Sequence, residues 1–224
     1  ANADKHCQDL AAAAGAGNRV WRAYLSQQAR DGQPAIDARD RIGKGPWYNA
    51  KGTLIAQDVE ALHAMLHFPD GAALNEKGVL NPGRCTPEDP QDKTWPYMQA
   101  HPESMRHEIL TGSTREGRAF ADGRDHTCSN WTSSAAAPAR AMLGHFNRHG
   151  VAGNIDSTSW VEAHISNGCT QANLVATGGS GHFYCFAADN PTDLHRLSHG
   201  SGGNQMPPDR SRSAKIGVRE TAVH

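Results

Sequence analysis

The chain has 224 residues, of which 38% are hydrophobic and 20% charged, with 23 Gly and 12 Pro. That mix suits a compact, loop-rich protein and excludes a coiled coil, a fibre and a multi-span membrane protein. Lys and Arg number 22 against 23 Asp and Glu, a net charge of −1, so no global field of either sign exists and nucleic acid is not an expected partner.

Residues 3–14 read as a helix: Asn2 can cap it, Asp4 sits in its first turn, and Gly15 and Gly17 end it. Val20 to Leu25 is aromatic and β-branched, which predicts a strand. The loop 26–45 holds one helical turn around Asp37–Arg41. Pro46–Asn49 and Thr53–Ile55 flank Ala50-Lys51-Gly52, a hairpin signal. Asp58 then caps a short amphipathic helix with Val59, Leu62 and Leu66 on one face. Ala72 to Leu80 suggests one more hairpin around Asn75-Glu76-Lys77-Gly78. From His107 onward the pattern is short strands between turns: Ile109–Thr111, Ser129–Thr132, Met142–Phe146, Leu174–Thr177 and His182–Ala187. The last two flank Gly178-Gly179-Ser180-Gly181, which reads as a hairpin turn. Residues 190–224 carry no periodicity and read as an irregular tail. No run of about 18 apolar residues occurs, so no transmembrane helix and no membrane insertion is expected.

The five cysteines are Cys7, Cys85, Cys128, Cys169 and Cys185, and none forms C-x-x-C. Their wide spacing fits long-range disulfides made in an oxidising compartment. Five is odd, so at least one thiol is left over; four half-cystines allow three pairings, and spacing does not choose among them. The start at Ala1-Asn2-Ala3-Asp4, without Met, is that expected of a mature chain after signal-peptide removal, hence a secreted or periplasmic location.

Two groups of side chains stand out as candidate sites. Trp160, Glu162, His164, Asn167 and Gln171 combine an aromatic ring with carboxylate, imidazole and amide groups, and His145 and Asn147 lie in a similarly polar loop. Sugars need that pairing, because their C–H faces stack on rings while polar groups fix their hydroxyls. Trp160 equally reads as a core residue beneath the loops. Glu60, His63 and His67 share one flank of the short helix and form the candidate metal set, for zinc or calcium. Asp122-Gly123-Arg124-Asp125 lacks the alternating ligands of a calcium loop and reads as a turn. Gly-x-Ser-x-Gly is absent, and His107-Glu108 continues into Ile109-Leu110-Thr111 without the second His of His-Glu-x-x-His. No catalytic residue is expected, and an enzyme of unknown class is only an alternative.

An ordered series of residues resembles a known family. Ala3-Asp4-Lys5-His6-Cys7-Gln8, the Ala-rich helix with Gly15, Arg22-Ala23-Tyr24-Leu25-Ser26 and Asn49-Ala50-Lys51-Gly52-Thr53-Leu54 come first. His101-Pro102, Leu110-Thr111-Gly112-Ser113, Gly117-Arg118, Cys128 with Trp131, Cys169 and Tyr184-Cys185-Phe186 follow. Together they resemble the endostatin domain, the C-terminal module of collagens XV and XVIII, over residues 3–189. The resemblance implies an α+β, C-type-lectin-like fold: a twisted, mainly antiparallel sheet with one main helix and long disulfide-pinned loops. It implies a domain over 1–189 followed by the irregular tail 190–224. It implies the pairings Cys7–Cys185 and Cys128–Cys169, which leave Cys85 as the free thiol. The family's zinc site does not carry over, since only six residues precede Cys7 and Gly52 stands at the position of its Asp. Bacterial relatives are described as lectin-like, so a non-catalytic glycan-binding protein is the first expectation and a metal-binding protein using surface His the second.

Overall fold

The computed structural model describes residues 3–69, 71–81, 106–147, 158–188 and the backbone of 214–219. Cys85, Asn2, His101, Pro102, Arg148 and His149 lie outside the described residues.

Helix α1 (Ala3–Ala13) buries Cys7 and Ala11. Its small side chains allow close approach: a Cβ on Gly17 would lie 2.8 Å from Ala12. Asp4 of that first turn anchors the next strand, accepting from the Ala23 N–H at 3.0 Å and from the Arg41 guanidinium at 2.7 and 2.8 Å. Strand β1 (Trp21–Ala23), the short helix α2 (Ala38–Arg41) and the hairpin of β2 (Trp47–Asn49) and β3 (Leu54–Ala56) follow. Asp58 caps α3 (Val59–Ala64) by accepting from the Ala61 N–H at 2.7 Å. Then come β4 (Glu108–Leu110), β5 (Met142–His145), β6 (His164–Ile165), helix α4 (Gln171–Thr177), β7 (Gly179–Ala187) and β8 (Ala214–Arg219).

The fold is mixed α+β, around one sheet of eight strands in the order β3-β2-β8-β7-β4-β5-β6, with β1 also paired to β7. Most pairs are antiparallel; β2–β8 and β4–β7 are parallel. All nine residues of β7 are buried, as expected for a strand that pairs with β1, β4 and β8.

Three expectations change. Leu174–Thr177 is helical, not a strand. Thr170 caps α4 by accepting from the Asn173 N–H, and Gly178, at φ 110°, closes it. The glycine run therefore ends a helix before β7 instead of turning a hairpin. Ser129–Thr132 is not a strand either: Cys128, Ser129, Asn130 and Trp131 have φ of 48°, 55°, 54° and 65°, one left-handed turn. Finally, the tail is not irregular throughout, because 214–219 enter the sheet between β2 and β7. Strands on both sides supply the backbone partners that periodicity in this segment did not signal.

The core gathers Trp47, Trp160, Tyr24, Tyr184, Phe186 and Phe146, each almost fully buried. The Trp160 ring lies 5.1 Å from Phe68 and 5.0 Å from Tyr24. Each such side chain contributes about 1.5–3 kcal/mol by burial. Two disulfides, their four cysteines buried, staple the core. Cys7–Cys185 joins α1 to β7 across 178 residues, and Cys128–Cys169 spans 41. In the chain-entropy account each contributes about 4–5 kcal/mol. Such bonds fit an oxidising compartment. No helix among the described residues is long and apolar enough to cross a membrane.

Candidate metal centre

Three strands carry the polar cluster. Glu108 of β4 lies directly opposite His145 of β5, and Leu143 of β5 lies opposite His164 of β6. Opposite residues, and residues two apart on one strand, project to the same face. The register alone therefore puts Glu108, His145 and His164 on one face. His107 precedes β4 and escapes the alternation; its ring stacks on that of His145, with centroids 4.5 Å apart and planes at 9°. On the other side of β4, β7 carries two extra residues, Ser180 and Gly181, between its partners for Glu108 and Ile109.

The ligating atoms converge. Glu108 Oε1 is 3.1 Å from His164 Nε2 and 3.9 Å from both His107 Nε2 and His145 Nε2. His145 Nε2 and His164 Nε2 are 3.0 Å apart. The candidate ligand atoms of His107, Glu108 and His145 all lie within 4.8 Å of one another. Metal–ligand bonds of about 2.0–2.2 Å in a tetrahedron put ligand atoms roughly 3.3–3.6 Å apart. The observed separations bracket that value before any ion draws them in.

Burial sharpens the point. The side chains of His107, Glu108 and His145 are at most 2% exposed, whereas that of His164 is 37% exposed. Glu108 Oε2 is buried and accepts no hydrogen bond of ordinary geometry among the described residues. Burial alone would raise the Glu108 pKa, but the neighbours His145, His164 and Thr177 outweigh it and hold it at about 2. The carboxylate is thus a buried anion. Gly178 comes close enough that a Cβ there would lie 3.0 Å from His107 Nε2 and 3.3 Å from Glu108 Oε1. This glycine ends α4.

The expected sugar-binding group does not assemble. Of its seven residues, His145 and His164 meet in this cluster. Trp160 is 0% exposed, its indole N–H donating to Leu62 O at 3.2 Å. Glu162 accepts from the Arg115 N–H at 2.6 Å. Gln171 donates to Ser180 O at 3.2 Å, Asn167 is exposed, and Asn147 is half-buried at the end of β5. Nor does the helix flank form a metal set. Glu60 pairs with Arg39 at 2.7 Å, His63 is held between Tyr24 and Val59, and His67 Nδ1 faces Phe68 O. Their ligating atoms are committed to separate partners. Asp122–Asp125 is a turn, with the Arg124 N–H donating to Asp122 Oδ1 at 3.1 Å.

The residues missed were His107 and Glu108. Their signal was a His-Glu pair leading straight into the apolar Ile109-Leu110, polar side chains where a buried strand needs none. No protein-family model matches the chain, and no curated protein sequence matches it.

Proposed function

We propose that the protein binds one divalent transition-metal ion, of which zinc is the first candidate, through His107, Glu108 and His145. The carrying observation is the convergence of these three buried residues, whose ligating atoms all lie within 4.8 Å of one another, with Glu108 Oε1 3.9 Å from each imidazole Nε2. A protonated His164 pairs with Glu108 Oε1 at 3.1 Å; a metal ion would engage the carboxylate and the imidazoles together. Mixed imidazole and carboxylate donors suit zinc and its neighbours better than calcium, which prefers oxygen.

Kinship with the endostatin-like domains and a secreted or periplasmic setting belong to the same proposal. What supports them is the pair of disulfides, joined as the resemblance implies. Glycan binding draws no support, since the ring proposed to stack on sugar has no exposed face.

The test is elemental analysis after exhaustive dialysis, with calorimetric titration of zinc into the chelator-stripped protein. One zinc per chain is expected, with the uptake lost in His145→Ala and Glu108→Gln. Failure of the folded wild-type protein to take up zinc at micromolar concentration overturns the proposal.

A further inference from the structure

We infer that His164 is the fourth ligand of this centre and its exchangeable one, so that a small anionic oxygen or nitrogen donor reaches the metal in its place. This rests on the metal-binding reading above and goes beyond it in naming where the ion is approached and by what.

His164 stands outside the trio whose ligating atoms all lie within 4.8 Å of one another, yet it reaches two of its members. Its Nε2 lies 3.1 Å from Glu108 Oε1 and 3.0 Å from His145 Nε2, a little closer than the spacing one ion imposes. Its Nδ1 faces a backbone carbonyl, the outer partner that fixes the tautomer of a ligating imidazole. In every other respect it differs. The other three side chains are sealed at 2% exposure or less, while His164 is at 37%. It stands on β6, a two-residue strand that ends the sheet order and, among the described residues, pairs with β5 alone. Replacing it in coordination therefore disturbs one short edge strand, whereas replacing His107, Glu108 or His145 opens the interior.

Charge sets the class of the incoming donor. A divalent ion with one ionised carboxylate and neutral imidazoles keeps a net charge of +1 in a largely buried site. One small anion cancels it, and a cation or a second metal does not. Three held ligands with a fourth position reached from solvent is the arrangement of metal centres that bind or activate exogenous groups.

The experiment uses cobalt(II) as a visible probe in the chelator-stripped protein, with acetohydroxamate as the anionic donor. The wild-type protein should take up one cobalt and show the intense visible absorption of four-coordinate cobalt(II). His164→Ala should still take up one cobalt but with weak absorption, and added imidazole should restore the intense band. Acetohydroxamate should alter the wild-type spectrum and bind His164→Ala at least tenfold more tightly. An unchanged cobalt spectrum in folded His164→Ala overturns the assignment of the ligand. A wild-type spectrum indifferent to acetohydroxamate overturns the exchange, and decides the matter alone if the variant fails to fold by circular dichroism. No cobalt or zinc uptake by the wild type overturns the metal reading itself, and this inference with it; uptake without response to acetohydroxamate leaves the metal reading standing.

Discussion

Two regions of the protein are dense in polar side chains, and they solve the same problem in opposite ways. The left-handed turn Cys128–Trp131 is complete in itself. Asp125 accepts from the N–H groups of Thr127 and Ser129, and Asn130 and Gln28 exchange side-chain and backbone hydrogen bonds at 2.8 and 2.9 Å. Gln28 spends its own amide on Phe120 O, Arg124 O and the His126 N–H. Donor meets acceptor throughout, and this holds four non-glycine residues in a conformation that costs roughly 1–2 kcal/mol each. The open cleft of about 840 Å³ beside it is lined in part by these paired groups, Gln28, Asp125, Thr127, Ser129 and Asn130. In the His107 cluster, imidazoles surround one buried carboxylate. The first network closes on its own donors and acceptors; the second presents the donor set of a divalent cation.

The largest effects should break the first region without touching the second. Replacing Cys128 and Cys169 together by Ser removes the 41-residue loop closure, a loss of about 4 kcal/mol. Urea denaturation checks it, and a loss below about 1 kcal/mol would show that the turn holds itself without its staple. Zinc uptake by the folded remainder should be unchanged. Asn130→Ala comes next, at about 2–3 kcal/mol, because Gln28 loses two partners and alanine gains nothing in a left-handed conformation. A loss indistinguishable from that of an exposed alanine substitution would sink the account of the turn.

Gly178→Ala is smaller in stability but reaches the second region. The residue sits at φ 110° with His107 Nε2 3.0 Å from the added Cβ. We expect a loss of about 1–2 kcal/mol together with weaker zinc binding. Lost stability with unaltered zinc affinity would place Gly178 in the helix cap alone.

The contrast also explains what could be read in advance. Helix α1, the β2–β3 hairpin, the Asp58 cap and strand β5 were legible because their signals are local: caps, periodicity and turn residues within a few positions. Leu174–Thr177 failed because the glycine run after it reads as a hairpin turn, whereas Thr170 and Gly178 cap a helix at each end. The left-handed turn failed because it is imposed by partners as distant as Gln28 and Cys169. His145 and His164 were singled out for another purpose. The cluster itself was hidden because Glu108, His145 and His164 meet only through the register of three strands, with His107 joining by its stack on His145, and register is set by pairing across the sheet.

The smallest expected effect concerns His63, a buried histidine outside the metal cluster. His63 Nδ1 faces Val59 O at 2.7 Å, so its proton sits there, and Nε2 accepts from the Tyr24 hydroxyl at 2.7 Å. Burial keeps that hydroxyl protonated, its pKa raised well above the usual value. Gly117 closes over the pair, a Cβ there lying 2.5 Å from the Tyr24 oxygen. Burial lowers the His63 pKa and Arg39 lowers it further, against the hydrogen bond to Val59 and the charges of Glu60 and Glu116. The unfolded chain therefore takes up its proton near pH 6.5, before the folded chain does. Below that pH the unfolded state binds more protons, so stability falls as the pH drops and is regained as it rises through the window. His63→Gln should flatten this part of the profile when unfolding free energies are measured between pH 5 and 7.5 with zinc held saturating. Equal slopes for the two proteins would mean that protonation of His63 costs the fold nothing, and that the Tyr24 hydroxyl turns to accept from the imidazolium as readily as it donates to the neutral ring.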